Sequence, residues 1–232
     1  SQFSKKDLLK GAKHIFCISK TTKNELMKMY DVDEKKISVV YLGVNKRNNI
    51  LDKKDNTILY VGDRRRYKNF ERLLKAFGNS LFLKKNFKLI CFGGGKFNSR
   101  EIELINKLNI KSNLYQETGN DRKLNEFYLK ANLYVSTSLM EGFGLTTLEA
   151  MNAGCPVLCS DISIFREILG DNCEYFNPED IADIQDKLEK IAKSQKEQQK
   201  LIKLGLNKAN EYSWEKCASQ TSDIYKQVLN EK

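Results

Sequence analysis

Between residues 56 and 176 the chain alternates short runs of β-branched and aromatic residues with longer stretches whose apolar positions recur every three or four residues. The short runs, at 57–62, 87–92, 112–116, 132–138, 156–159 and 174–176, read as strands. Most are apolar throughout, as parallel strands covered on both faces must be. The intervening stretches read as helices with one buried stripe each: Phe70, Leu73, Leu74 and Phe77, then Ile102, Ile105 and Leu108, then Leu124, Phe127, Tyr128 and Ala131. Asp121 is the expected cap of the third. Helices over 145–153 and 163–169 follow, the first closed by Gly154 and Pro156. Asn177, Pro178, Glu179 and Asp180 then signal the start of three helices over 179–194, 196–211 and 214–230. Upstream, residues 1–12 look like a helix tail, 13–19 like a strand, and Ser19 or Thr21 caps a helix through Tyr30. A further strand over 36–45 leads to a turn. No internal repeat is visible. The expected fold is α/β, a three-layer Rossmann-like lobe with a parallel sheet of about six strands plus C-terminal helices.

The stretch with the most chemistry lies between the strand at 132–138 and the helix at 145–153. Gly142 and Gly144 in the sequence Glu141–Gly142–Phe143–Gly144 let the backbone turn sharply and approach a ligand. The free N–H groups of the first helical turn, at Leu145 and Thr146, then form an anion site suited to a phosphate or pyrophosphate. Glu141 in the loop and Glu149 a turn inside the helix bracket it. On spacing alone a plain strand–turn–helix with solvated acids is equally compatible. A second cluster follows the strand at 57–62: Asp63, Arg64, Arg65, Arg66, Tyr67, Lys68 and Asn69. Cations at a strand's carboxyl end sit where open α/β sheets bind ligands, although a solvated basic loop has the same composition. Gly93, Gly94 and Gly95 close the next strand and let a nucleotide lie against the backbone, or merely turn the chain.

The wording Glu141–Gly142–Phe143–Gly144–Leu145 followed by Glu149 resembles the E-x7-E motif of retaining nucleotide-sugar glycosyltransferases of the GT-B fold, especially glycosyltransferase family 4. Ser138, Ala150, Met151, Gly154, Pro156 and Val157 match the same pattern, as does Tyr60–Val61–Gly62 with Arg64, Tyr67, Lys68, Asn69 and Phe70. Members often carry proline where this chain has Thr146. The resemblance runs from about residue 10 to the end, and implies that Lys68 and Arg64 contact the donor's phosphates beside Gly62. It further implies that Glu141 serves the reacting sugar, that Glu149 grips the ribose, and that Gly94, Tyr115 and Gln116 lie near the base. Glu167 falls where the family has a structural or loop-anchoring acid. Whole members carry another Rossmann-like lobe upstream. Residues 1–45 are therefore expected to be its remnant and the crossing between lobes, 46–211 the donor-binding lobe and 212–232 the closing helix that starts near Tyr212, Ser213, Trp214 and Glu215. The missing lobe is either excised or a separate partner chain, and the cut should leave apolar surface in residues 1–42.

Composition narrows the function. Forty Lys+Arg against thirty Asp+Glu leave a net charge of +10, compatible with an anionic ligand or peripheral membrane contact. The lysines are scattered without interleaved aromatics, so no nucleic-acid partner is expected. The start, Ser1–Gln2–Phe3–Ser4–Lys5–Lys6, has no apolar segment, so no signal peptide is expected, and no run of about twenty apolar residues occurs. Six cysteines without a C-x-x-C pair read as small buried residues in a reducing cytoplasm. The lone histidine, His14, reads as structural. No acidic metal cluster is present, and neither metal nor cofactor is expected. The expected function is the donor half of a retaining enzyme that moves a sugar, with GDP-mannose favoured, to a glycan or lipid-linked acceptor in surface polysaccharide synthesis. It would act in the cytoplasm at the inner face of the membrane, and the chain alone would turn over little. A sugar-nucleotide epimerase of the same fold and a non-catalytic nucleotide-sugar-binding subunit are the alternatives.

Overall fold

A computed structural model of the chain describes residues 5–45, 51 and 54–230. Residues 1–4 of the expected helix tail, residues 46–50 at the expected domain boundary, and residues 231 and 232 of the closing helix lie outside the described residues. Among the described residues eight strands are formed: β1 (Ile15–Cys17), β2 (Ile37–Val39), β3 (Asp55–Val61), β4 (Lys88–Phe92), β5 (Leu114–Glu117), β6 (Ala131–Ser136), β7 (Val157–Ser160) and β8 (Glu174–Phe176). The last six make one parallel sheet in the order β5-β4-β3-β6-β7-β8, while β1 and β2 pair in parallel by themselves. The strand order reverses between β3 and β6. At such a switch point the connections leave to opposite faces, and a crevice opens beyond the carboxyl ends of the two central strands.

Eleven α-helices are described: α1 (Lys5–Gly11), α2 (Lys20–Met29), α3 (Phe70–Asn79), α4 (Leu81–Asn86), α5 (Ser99–Lys107), α6 (Asp121–Lys130), α7 (Leu145–Asn152), α8 (Ser163–Leu169), α9 (Ile181–Lys193), α10 (Gln195–Ala209) and α11 (Trp214–Asn230). Alternate strand residues face opposite layers, as the two-residue period requires. Ile58, Tyr60, Leu89, Cys91, Leu133 and Val135 pack under α3, α5 and α9 with Leu73, Leu74, Phe77 and Ile184. Leu59, Ile90, Phe92 and Tyr134 turn the other way, toward Tyr128, Leu148, Met151 and Ala209. Each of these fully buried large side chains contributes about 1.5–3 kcal/mol by leaving water, which holds both layers on the sheet and fixes the positions of the loops at its edge.

Several expectations are corrected. Ile102 is not inward but 47% exposed; α5 instead buries Glu101 and Ile105. The reason is its start, where the Asn98 side chain accepts from the Glu101 amide and Glu101 returns a bond to the Asn98 amide. Asn120, not Asp121, caps α6. The upstream strand is only Ile37–Val39 long, and α4 fills a stretch where no element was expected, capped by Ser80. Within residues 1–42, Leu8 and Met29 are exposed, whereas Cys17, Ile37 and Val40 are buried.

Five of the six cysteines are buried and all are free. Burial pushes the Cys91 and Cys155 thiols up to about 12, which keeps them neutral packing groups. His14 Nε2 lies 2.9 Å from Ser38 Oγ, bridging the strands on either side of α2. Among the described residues no helix is long and apolar enough to cross a membrane.

Candidate functional site

The loops after β3 and β6 meet at the switch point. Gly62, at φ 121, ends β3 and donates its N–H to Phe92 O. A 3-10 turn over Arg66–Lys68 follows, stopped by Asn69 in the left-handed conformation. Asn69 Nδ2 donates to Pro178 O at 2.7 Å, fixing the turn to the opposite loop. Two bonds then tie the turn to the loop after β6: Leu139 N donates to Tyr67 O at 2.7 Å, and Thr137 Oγ1 to Lys68 O at 2.8 Å. So anchored, Lys68 sends Nζ to within 2.7 Å of Glu141 Oε1, which also accepts from Ser138 Oγ at 2.7 Å. The Lys68 and Glu141 side chains remain 18% and 19% exposed, so a ligand can reach the pair. A pair this wet adds only about 1 kcal/mol or less to stability. Its chief consequence is orientation: both ends are held before anything binds.

Three residues beyond Glu141 the chain enters α7. Gly144 stands at the cap with φ 88 and no capping side chain. A Cβ there would come within 2.7 Å of Phe165 Cε1, so only glycine lets α7 begin at this depth. Leu145 and Thr146, the first two helical residues, are half-buried, and their amides have no carbonyl four residues back to bond. Thr146 Oγ1 is already engaged, accepting from Tyr134 O–H at 2.9 Å. Glu149 accepts from the hydroxyl of the fully buried Tyr128 at 3.1 Å, which aims its carboxylate from within the helix.

Other expected contacts are placed differently. Arg64 engages its guanidinium within the protein. Its Nε donates to Glu101 Oε1 at 2.9 Å, Nη1 to Gly93 O at 3.2 Å, and Nη2 to Gly95 O and Lys96 O at 2.9 Å each. With its side chain 4% exposed and its guanidinium 4.7 Å from the Phe97 ring centroid, it clamps the glycine loop. Gly94 is glycine for that clamp: a Cβ would lie 2.5 Å from Arg64 Nη1 and 2.8 Å from Gly62 O. Phe143 buries its ring against Tyr41 and Tyr212, leaving only its backbone for a ligand. Tyr115 lies on the edge strand β5 with its ring over Lys88 Nζ at 4.9 Å, and Gln116 Nε2 donates to Gly95 O.

The expected anchoring acid, Glu167, accepts from Lys20 N, Thr21 N, Thr21 Oγ1 and Tyr41 O–H at 2.6–3.0 Å. Burial pushes its carboxyl upward, but these bonds outweigh that and hold it below the ordinary value. From the α2 start it secures, Ser19 Oγ and Thr22 Oγ1 donate to Gly142 O at 3.0 and 3.2 Å. The start of α2 thereby holds the Gly142–Phe143 peptide. Sequence reading did not find the roles of Ser19, Thr22 and Tyr128: two are more than a hundred residues from their partner, and Tyr128 read simply as part of a buried stripe.

A family profile described as "Glycosyl transferases group 1" matches residues 44–208, which include both loops and α7. The chain belongs to the group 1 glycosyl transferases. Among characterised relatives of this family it is 34% identical to the O-antigen chain mannosyltransferase RfbU of Salmonella typhimurium, over 77% of this chain and 51% of that protein. It is 35% identical to O-antigen chain mannosyltransferase B of Escherichia coli over a shorter stretch, 46% of this chain and 28% of the other. The chain spans about half the length, or less, of these relatives. In structure it resembles WaaG, a glycosyltransferase involved in lipopolysaccharide biosynthesis, with a TM-score of 0.77 at 19% identity, covering 90% of this chain and 61% of WaaG. Staphylococcus aureus TarM, solved in complex with UDP among other ligands, gives 0.83 at 18% identity over 94% of this chain and 44% of TarM. At these identities the likeness establishes the fold, that of the GT-B glycosyltransferases.

Proposed function

We propose that the chain is the donor-binding half of a family 4 retaining glycosyltransferase, transferring a sugar from a nucleotide diphosphate sugar to a glycan or lipid-linked glycan. One observation carries the reading: at the sheet's switch point Lys68 Nζ lies 2.7 Å from Glu141, three residues before the Gly144 cap at which α7 opens without a capping side chain. Amide dipoles and an ammonium there stabilise the charge that grows on a departing diphosphate. Glu141 has Lys68 and Ser138 on one carboxylate oxygen and can turn the other to a sugar hydroxyl. Glu149, steadied by Tyr128, takes the ribose. With the leaving phosphate assisting attack from the face of departure, neither glutamate has to become a nucleophile and no metal is called for. Residues 1–45 would belong to an upstream lobe, 46–211 to the donor lobe, and 212–232 to the closing helix. That upstream lobe, in the same polypeptide or in another chain, would supply most of the acceptor site.

The names of the two relatives, O-antigen chain mannosyltransferases, support mannose as the sugar and a surface polysaccharide as the product; GDP would be its carrier, and the enzyme would work at the cytoplasmic face of the membrane. A calorimetric panel of UDP-, GDP- and ADP-sugars tests the reading. GDP-mannose should bind tightest, Glu149→Ala should weaken every nucleotide, and Glu141→Ala should chiefly reduce the gain from the sugar. The 232-residue chain alone should bind donor yet transfer little. Failure of all three nucleotides to bind would remove the proposal.

A further inference from the structure

A second cleft, about 830 Å³ in volume, opens at the carboxyl edge of the sheet where α3, α5 and α9 begin. Lys68 and Glu141 do not line it. Six cations do, Arg64, Arg65, Arg66, Arg72, Lys75 and Arg100, against three carboxylates, Glu71, Glu101 and Glu179. Some of this charge is spent internally. Arg64 and Glu101 pair at 2.9 Å with side chains 4% and 6% exposed, forming a neutral floor. Arg100 pairs with Glu71 at 2.8 Å on the rim, and Arg65 with Asp63.

Arg66, Arg72 and Lys75 are left against one carboxylate, Glu179, which pairs with none of them: among the described residues no carboxylate lies within 4.0 Å of any of the three. Arg72 and Lys75, three apart on α3, share a face and are half-buried, and Asn69 Oδ1 accepts from Arg72 Nη1 at 2.9 Å to hold it there. Like charges fixed side by side in a partly enclosed recess repel each other, and an anion between them relieves that repulsion. Phe70, Asn98 and Ile181, at the starts of three helices, also line the cleft, so the positive ends of three dipoles add to the same potential. The volume is too large for one phosphate, and the three free cations span both the 3-10 turn and α3.

We propose that this cleft binds a phosphate-rich anion, carrying at least two phosphate groups, independently of the site at Lys68 and α7. The ligand is either a soluble polyphosphate-like molecule or a phosphorylated lipid headgroup; both present the same oxygens to Arg66, Arg72 and Lys75.

Titration calorimetry with inorganic tripolyphosphate, on the whole 232-residue chain at low salt, tests it. Binding should persist in Lys68→Ala and weaken roughly tenfold or more in Arg66→Gln/Lys75→Gln, because charge-assisted bonds are lost. Lys75→Gln alone should weaken it about threefold, giving a milder variant should the double one not fold. Co-sedimentation with vesicles containing cardiolipin, whose headgroup carries two phosphates, then separates the sources. Vesicle binding lost in the double variant identifies a headgroup ligand, and vesicle binding unchanged identifies a soluble one. Three results would overturn the proposal: no tripolyphosphate binding by the unsubstituted chain, equal affinity in the Arg66→Gln/Lys75→Gln variant, or loss of binding in Lys68→Ala.

Discussion

Replacing Glu167 by alanine should loosen the whole upstream segment and, through it, the binding loop. The carboxylate accepts four bonds, from the amides of Lys20 and Thr21 and the hydroxyls of Thr21 and Tyr41, across at least 126 residues of chain. Three of these come from the first turn of α2, where a negative charge also meets the positive end of the helix dipole. A buried bond to a charged group is worth about 1.5–3 kcal/mol, but Glu167 is only half-buried, so solvent screening brings the sum for Glu167→Ala to about 2–3 kcal/mol. Because its folded-state pKa is depressed, this stability is fully present above the unfolded value near 4.5 and disappears as pH falls through the folded value. Urea unfolding of the parent and Glu167→Ala, followed by far-ultraviolet circular dichroism at pH 7 and again near pH 3.5, measures it. The gap between the two proteins should be about 2–3 kcal/mol at pH 7 and should shrink at the lower pH. Ser19 and Thr22, freed with α2, would no longer hold Gly142 O, so donor affinity should drop as well. A difference below about 0.5 kcal/mol at pH 7, within the range of ordinary surface substitutions, or a gap that widens in acid, would refute this account of Glu167.

Gly144→Ala should cost about 2–4 kcal/mol, since it combines a left-handed backbone with a Cβ 2.7 Å from Phe165; thermal melting measures the loss, and an unshifted midpoint would contradict it. Arg64→Ala should destabilise the lobe by about 3–5 kcal/mol by leaving Glu101 buried without its cation. In urea titrations Arg65→Ala, at an exposed neighbour, should cost far less than Arg64→Ala; equal losses in the two variants would show that Arg64 is not the clamp described.

What the sequence disclosed was the scaffold. Uniform apolar runs separated by helix-period stretches lead to a parallel sheet, and Gly142 and Gly144 between β6 and α7 mark the uncovered helix start. Side-chain direction was much less legible. Arg64, Arg65 and Arg66 are chemically alike in the sequence, and only packing reveals that the first turns inward to Glu101 while the third stays exposed on the same cleft. The glycine at 94 reads as a turn or a close approach, and only packing shows that a Cβ there would meet the Arg64 guanidinium. Ile102 was placed inward by counting from an assumed helix phase, which the Asn98–Glu101 cap resets. Long-range bonds such as that from Ser19 to Gly142, 123 residues apart, leave no periodic trace at all.

The account rests most heavily on the claim that Lys68 and the opening of α7 hold a diphosphate, and the direct measurement is calorimetry of GDP against guanosine for the parent chain and Lys68→Ala. GDP should bind the parent far more tightly than guanosine, and Lys68→Ala should lose roughly tenfold or more of the GDP affinity, as expected for a charge-assisted contact, with guanosine unaffected. Guanosine binding as well as GDP, or Lys68→Ala binding GDP like the parent, would contradict it.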